Sequence, residues 1–370
     1  MAESVLLAGG GTAGHVNPLL AVADELRRRD PDLRITVLGT TSGLEARLVP
    51  AHGYRLVPVP RVPLPRRPTL DWLRLPWRLR AAVIAAAKAI TESQAQVVVG
   101  FGGYVSTPAY LAARRLGVPV VIHEQNARPG LANRLGARWA RSVAVTFPGT
   151  PLPGALLTGL PLRPPIAELV AARDRHAGAA RADGARALGL DPDLPTLLVT
   201  GGSLGAVSVN AAVAAAAGDL LATGAQVLHL TGTGKADAVR TALAGLGSAA
   251  QRYQVREYLE EMQHALAVAD LVVCRSGAGT VSELAALGLA AVYVPLPIGN
   301  GEQRLNAAAV VAAGGGLLVE DAELAPAWLR EHVVPLLTDR ERTVAMGRAA
   351  RTAGVADGAA RVADLVEALA

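Results

Sequence analysis

The chain has 370 residues, 51% hydrophobic and only 3% aromatic, and its formal net charge is +5. That length exceeds what one core supports and predicts two domains of α/β composition, while the shortage of aromatic rings argues against a base-stacking nucleic-acid platform. A single cysteine, Cys274, excludes an internal disulfide framework and fits a reducing compartment.

In chain order, the first half alternates apolar strand candidates at 5–8, 34–38, 55–58, 97–100, 118–122 and 143–146 with helical stretches such as 19–29, 81–92 and 108–116. Such alternation predicts a parallel sheet covered on both faces. Three prolines between Gly159 and Pro165 predict a hinge, and 173–188 reads as a polar, exposed helix. The rhythm then repeats, with strands at 196–200, 226–230, 271–274, 291–295 and 316–319. The expected domains are 1–162 and 163–352, with a terminal helix in 353–370 folding back on the first. The opening Met1-Ala2-Glu3-Ser4 lacks the basic region of a signal peptide. The longest apolar stretch, 284–298, is interrupted by Gly288, Pro295 and Pro297 and is too short to span a bilayer.

One construction occurs twice. Val5-Leu6-Leu7-Ala8 breaks into Gly9-Gly10-Gly11-Thr12-Ala13-Gly14, and Leu197-Leu198-Val199-Thr200 breaks into Gly201-Gly202-Ser203-Leu204-Gly205-Ala206. Each reads as strand, glycine turn and helix, where a ligand can approach the backbone and meet unpaired helix N–H groups. The first copy formally matches a dinucleotide fingerprint, but Leu38-Gly39-Thr40 lacks the ribose-binding acid at the end of the second strand, and Glu45 lies beyond it in the next helix. Thr231-Gly232-Thr233-Gly234-Lys235 is not a phosphate-binding P-loop, lacking the upstream glycine and the following Ser/Thr. His15, directly after the first loop, can act as a general base kept neutral by the helix N-terminus, or can simply cap the turn. His123-Glu124-Gln125-Asn126 and Gly100-Phe101-Gly102-Gly103-Tyr104 both end strands, where parallel α/β sheets place their ligands. Cys274-Arg275-Ser276-Gly277-Ala278 opens a further turn suited to a pyrophosphate, and Glu283 can accept from a ribose cis-diol or stabilise its helix N-terminus.

Six arginines between Arg61 and Arg80, among them Arg66, Arg67, Arg74 and Arg78, are interleaved with Trp72 and Trp77 and opposed only by Asp71. This segment suits an anionic membrane surface or serves as a solvated connector broken by prolines; nucleic acid is disfavoured because no second basic patch of this density occurs.

Taken in order, Gly10-Gly11-Thr12-Ala13-Gly14-His15 with Pro18, Gly102-Gly103-Tyr104-Val105-Ser106, His123-Glu124-Gln125-Asn126, Gly202-Ser203-x-Gly205-Ala206, Cys274-Arg275-Ser276-Gly277-Ala278, Ser282-Glu283 and Gln303-x-x-Asn306 resemble the MurG family over nearly the whole chain. Leu160, Leu204 and Glu302 depart from that pattern beside retained positions. The resemblance implies a GT-B fold, two Rossmann-like domains facing each other across a cleft. It further implies an inverting, metal-independent and cofactor-free transfer of GlcNAc from UDP-GlcNAc to the C4 hydroxyl of MurNAc in lipid I, at the cytoplasmic face of the membrane and as a peripheral protein. By the same resemblance Leu259 lies along the uracil, Ser203 and the turn Ala278, Gly279, Thr280, Val281 and Ser282 near the diphosphate, Glu283 on the ribose and Gln303 on the sugar. Thr12, Ala13, Gly14, Asn126 and Arg163 approach the donor from the first domain, and Tyr104 and Arg275, inside two of the motifs, count with the substrate-binding residues. His15 is expected as the catalytic base, with Glu124 as assistant or alternative.

Overall fold

The computed structural model describes residues 3–62 and 71–369, apart from the side chains of residues 71–73. The chain forms two compact units, one of Met1–Arg163 with Ala356–Ala370 and one of Pro164–Val355.

The first unit begins β1 (Ser4–Ala8), α1 (Ala13–Arg29), β2 (Arg34–Gly39), α2 (Glu45–Ala51) and β3 (Arg55–Pro58). It continues with α3 (Asp71–Ser93), β4 (Val97–Gly100), α4 (Ser106–Leu116), β5 (Val120–Glu124), α5 (Leu131–Gly136), β6 (Ser142–Val145) and β7 (Ala155–Leu157). The strands form one sheet, β3-β2-β1-β4-β5-β6-β7, with every pairing parallel. Alternate residues of β1 enter opposite cores. Val5 and Leu7 join Leu19, Val37 and Val99 on one face; Leu6 and Ala8 join Val83, Ile90, Tyr110 and Ile122 on the other. Both faces are therefore apolar, which is why the strands read as continuous hydrophobic runs. The C-terminal helix Gly358–Glu367 closes the first face with buried Val362, Ala363 and Val366. Arg29 locks it there, reaching Asp364 at 2.7 Å and Glu367 at 2.8 Å.

The second unit contains α6 (Pro164–Leu188), β8 (Thr196–Thr200), α7 (Val207–Ala215), α8 (Ala217–Ala222), β9 (Gln226–Leu230), α9 (Ala236–Leu243) and β10 (Tyr253–Arg256). After these come α10 (Met262–Val268), β11 (Leu271–Cys274), α11 (Ala278–Leu287), β12 (Ala290–Tyr293), α12 (Glu302–Ala312), β13 (Gly316–Leu318), α13 (Pro326–His332), α14 (Val334–Thr338) and α15 (Arg340–Ala353). Its parallel sheet runs β10-β9-β8-β11-β12-β13. In both units the strand order reverses direction beside the first strand, between β1 and β4 and between β8 and β11. Parallel sheets open a crevice for ligands at that switch point.

Two strands escape the sequence pattern. β7 is three exposed residues at a sheet edge, and β10 mixes polar and apolar side chains at the other sheet's edge. Two helices begin earlier than their apolar periodicity indicates. α1 starts at Ala13 and contains Pro18; α3 starts at Asp71 and contains Pro76. Each proline is the sixth residue of its helix, where it removes only one of the first intrahelical hydrogen bonds. Cys274 is buried at the end of β11, where burial raises its thiol pKa well above the usual range, so it is packing rather than a nucleophile.

Candidate active site

In the first unit, Ala8 pairs with Gly100 at the carboxyl ends of β1 and β4, so the loops that follow emerge side by side. Their contact is nearly backbone to backbone: a Cβ on Gly103 would lie 2.6 Å from the Gly10 carbonyl oxygen, and Gly103 holds φ +80°. Only glycine fits that approach and that conformation without strain. Gly102 stands over the His15 ring, its absent Cβ 3.3 Å from Cδ2 and Nε2. Ser106 ties the two loops further, its Oγ donating to the carbonyls of Ala8 at 2.9 Å and Gly102 at 2.7 Å.

His15 lies in the first turn of α1, with Nδ1 2.9 Å from Thr12 Oγ1. Thr12 is the N-cap residue, but its hydroxyl faces this ring and caps no helix amide. Burial holds the His15 pKa below its ordinary value, opposed by the Gly10 backbone and the charge of Glu45. The imidazole is therefore neutral and able to accept a proton, and burial rather than the helix N-terminus is the main cause. Pro18 offers no N–H to the Gly14 carbonyl, so the front of α1 presents open amides and one carbonyl without its usual donor.

A residue set aside in the sequence organises this loop. Glu45 is fully buried. Its Oε2 accepts from the Gly11 N–H at 3.0 Å, and its Oε1 accepts from the Thr40 N–H at 2.9 Å and hydroxyl at 2.7 Å. Burial pushes the carboxyl up, but the Gly11 and Thr40 donors prevail and hold it below its ordinary value. Gly10 and Gly39 make room for it; a Cβ on either would come within 2.6 Å of its side chain. The signal was present as Gly39, Gly43 and Glu45 around a turn, but Glu45 acts on Gly11, 34 residues upstream.

Glu124 ends β5 and is buried. Oε1 accepts from the Asn126 N–H at 3.0 Å, and Oε2 from the Gly130 N–H at 3.0 Å and Asn133 Nδ2 at 2.9 Å. Burial raises its pKa against these donors. Both oxygens thus brace the loop that presents Asn126, which favours a supporting over a proton-accepting role. Neighbouring His123 is buried and bonded to the Gly159 carbonyl at 3.0 Å, a packing histidine whose pKa burial lowers to about 4. Tyr104 is partly exposed, with the Arg61 guanidinium 5.2 Å from its ring centroid. Asn126 and Arg163 are half-buried in this unit.

In the second unit, Thr200 pairs with Cys274 at the carboxyl ends of β8 and β11. The loop after β8 is closed by the Gly205 N–H on the Gly202 carbonyl at 2.9 Å. Gly205 is pressed against the Thr231 carbonyl so closely that no side chain fits. Lys235 holds the same loop by donating from Nζ to the Leu204 carbonyl at 2.6 Å. Ser203 is exposed at its tip. α7 and α11 both begin without a side-chain cap, at Ala206 and Gly277. Ala278, Gly279 and Thr280 therefore present first-turn amides of the kind that bind diphosphates.

Three of the expected positions are engaged within the unit itself. Val281 has its side chain in the core and its N–H on the Gly277 carbonyl at 3.0 Å, and Ser282 is buried; the helix has closed by that point. Arg275 turns inward: its guanidinium meets Asp321 at 2.5 Å, Ser208 at 3.0 Å and the Pro295 carbonyl at 3.0 Å. It braces β11, α7 and the loop after β13. Glu283 is half-buried one turn into α11, and Leu259 half-buried after β10. Gln303 accepts through Oε1 from the Leu296 N–H at 3.0 Å. Asn306 is fully buried, donating to the Ser276 carbonyl at 3.3 Å.

Of the basic segment, Arg66 and Arg67 lie outside the described residues, as does the Trp72 side chain. Arg74, Trp77 and Arg78 sit on α3 and are exposed, Trp77 by 73%. Among the described residues no helix is long and apolar enough to cross a membrane.

Residues 5–145 match the glycosyltransferase family 28 N-terminal domain and residues 196–362 the family 28 C-terminal domain. The chain is 56% identical to the UDP-N-acetylglucosamine--N-acetylmuramyl-(pentapeptide) pyrophosphoryl-undecaprenol N-acetylglucosamine transferase of Clavibacter sepedonicus, over 98% of this chain and 95% of that one. The enzyme of the same name from a Nocardioides species is also 56% identical, over 98% and 97%. Among solved structures, Acinetobacter baumannii MurG superposes with a TM-score of 0.77 at 28% identity, across 99% of both chains. A UDP-GlcNAc 2-epimerase from Neisseria meningitidis, with a TM-score of 0.71 at 15% identity over 99% of this chain and all of that one, shares the fold alone. With its two Rossmann-like units in a GT-B-type α/β fold, the chain belongs to glycosyltransferase family 28 and, within it, to the MurG family.

Proposed function

We propose that the protein transfers GlcNAc from UDP-GlcNAc to the C4 hydroxyl of MurNAc in lipid I, forming a β-1,4 linkage with inversion and releasing UDP. The observation that carries this reading, beside the kinship, is a division of labour between the two switch points. The β8–β11 pair offers uncapped helix amides and a glycine loop; the β1–β4 pair carries a neutral histidine at the head of a helix. The first set suits a nucleotide diphosphate and the second a hydroxyl to be deprotonated.

His15 takes the hydroxyl proton as the C4 oxygen attacks the anomeric carbon. The negative charge arriving on UDP is met by the first-turn amides of α7 and α11, fixed dipoles that need no reorganisation; no metal or cofactor enters this scheme. Glu283 accepts from the ribose, Leu259 flanks the uracil, and Ser203, Ala278, Gly279 and Thr280 line the diphosphate. Gln303 binds the sugar through its amide nitrogen. Thr12, Ala13, Gly14, Asn126, Tyr104 and Arg163 contribute from the first unit, with Glu124 holding the Asn126 loop. The exposed face of α3 seats the protein on the anionic cytoplasmic leaflet that carries its acceptor.

UDP release from UDP-GlcNAc, measured with and without a lipid I analogue, tests the reading. Release that depends on the acceptor and matches disaccharide formation is expected. Consumption of UDP-GlcNAc without acceptor, or UDP-GlcNAc binding with no turnover in its presence, would overturn it.

A further inference from the structure

The second unit has a cavity of about 860 Å³ at the amino ends of β8, β11 and β12, the end of the sheet opposite its glycine loops. That volume lies within the roughly 300–1,000 Å³ typical of small-molecule sites. Five arginines line it against three aspartates, and the pairing within it is uneven. Arg181 forks onto Asp270 at 2.9 and 3.0 Å, and Arg351 pairs with Asp174 at 3.0 Å. Arg173 is half-buried and its hydrogen bonds go to carbonyl oxygens, those of Leu266 at 3.5 Å and Ala267 at 3.3 Å, while the charges of Asp270 and Asp174 act on it without a direct ion pair. Arg340 and Arg348, two turns apart on one face of α15, are exposed and, among the described residues, meet no carboxylate. Asp193 is the one lining acid left outside an ion pair. The cavity thus concentrates positive charge on concave walls, where low-dielectric surroundings strengthen attraction for anions.

We propose that this cavity binds a small soluble polyanion carrying at least two phosphate or carboxylate groups, held between Arg340 and Arg348 on α15 and Arg173 on α6. Arginine forks suit such groups because they donate two parallel hydrogen bonds to one planar or tetrahedral anion. The walls also give occupancy a consequence. α6 is the first element after the chain enters this unit at Pro164, and α15 the last helix before it leaves at Val355. α15 is fixed, since Gly347 packs on the Gly288 carbonyl too closely for a Cβ. α6 is interrupted at His176 (φ −152°, ψ 80°), in the middle of the segment lining the cavity. An anion bridging them braces the interrupted helix against the fixed one.

The test is calorimetric titration of the full chain with inorganic pyrophosphate, with UDP present at saturation to occupy the nucleotide loops. Saturable binding at one site per chain is expected, weakened about tenfold or more in R340Q/R348Q, on the scale of losing one or two charge-assisted hydrogen bonds. Both side chains are exposed, so the variant should fold; unchanged UDP affinity confirms that it has. Hydrogen exchange supplies a second readout, with pyrophosphate slowing exchange around residues 173–182 in the wild type and not in the variant. Absence of saturable binding, or equal binding by the variant, overturns the proposal. It also fails if R340Q/R348Q instead loses affinity for phosphatidylglycerol vesicles while pyrophosphate never binds, because the arginines would then serve a lipid surface.

Discussion

His15 and Glu45 meet at the first glycine loop, one at the head of α1 and one buried in the core. Replacing His15 with Ala should lower turnover with a lipid I analogue by about a hundredfold or more, the lower range for loss of a general base. Because burial holds its pKa below the ordinary 6.5, the base stays competent as pH falls through that value. The acid limb of kcat/KM should therefore lie below pH 6.5, and a wild-type limb above it would remove His15 from the role. Glu45→Gln tests the support beneath. The amide keeps one acceptor but turns an N–H toward either Gly11 or Thr40, leaving a buried donor unpaired at a cost of about 1–3 kcal/mol. Expected are a drop in melting temperature of the order of a few degrees and reduced acceptor turnover, with UDP affinity unchanged because the loops proposed for the nucleotide lie in the other unit. Turnover equal to wild type would show that the loop does not need this carboxylate. His15 was legible in the sequence because it abuts the glycine run. Glu45 was not, since its function depends on a contact across 34 residues that only the folded sheet creates.

At the level of elements, strands buried on both faces were readable as apolar runs, and the glycine turns marked where they end. What escaped were elements whose residues carry no periodic signal: the exposed edge strand β7, residues 13–18 at the start of α1, and residues 71–80 of α3 on either side of Pro76. That part of α3 bears on the proposed membrane docking. Val83, Ala86 and Ile90 face the core, whereas Arg74, Trp77, Arg80 and Ile84 are exposed. Helical geometry gathers basic and apolar groups on one outer face, where the sequence allowed a broken connector equally well. If that face docks on anionic lipid, an R74Q/W77A/R80Q variant should bind phosphatidylglycerol vesicles at least about tenfold more weakly, given about 1 kcal/mol per basic residue near such a surface. Wild-type binding should also weaken with added salt. Equal vesicle binding by the variant would sink the docking role, and unchanged turnover on a water-soluble acceptor would separate docking from chemistry.

At the scale of the whole molecule, two units of the same strand order carry different buried polar supports, and this makes their responses to acid separable. In the second unit His229 is fully buried on β9. Its Nδ1 lies 2.7 Å from the Tyr253 hydroxyl and its Nε2 3.0 Å from Asn210 Oδ1, while Asn210 Nδ2 donates to the Thr231 carbonyl at 2.9 Å. With that amide orientation, Nε2 carries the proton and Nδ1 accepts from tyrosine, so the neutral ring is satisfied on both sides. The Thr231 carbonyl is also the surface on which Gly205 rests, so the network supports the glycine loop after β8 from behind. Burial lowers the His229 pKa to about 4, so between there and 6.5 the unfolded chain binds the additional proton. Its contribution is complete above about pH 6.5 and is lost progressively as pH falls toward 4, on the order of 3 kcal/mol in all. The urea midpoint of the second unit, followed through UDP-sensitive hydrogen exchange, should decline across that window, and UDP affinity should decline with it. His229→Gln, which keeps a donor and an acceptor but cannot ionise, should flatten this slope even if it lowers the midpoint at pH 7.5. An unchanged slope in the variant would place the acid sensitivity elsewhere and leave His229 a packing residue only.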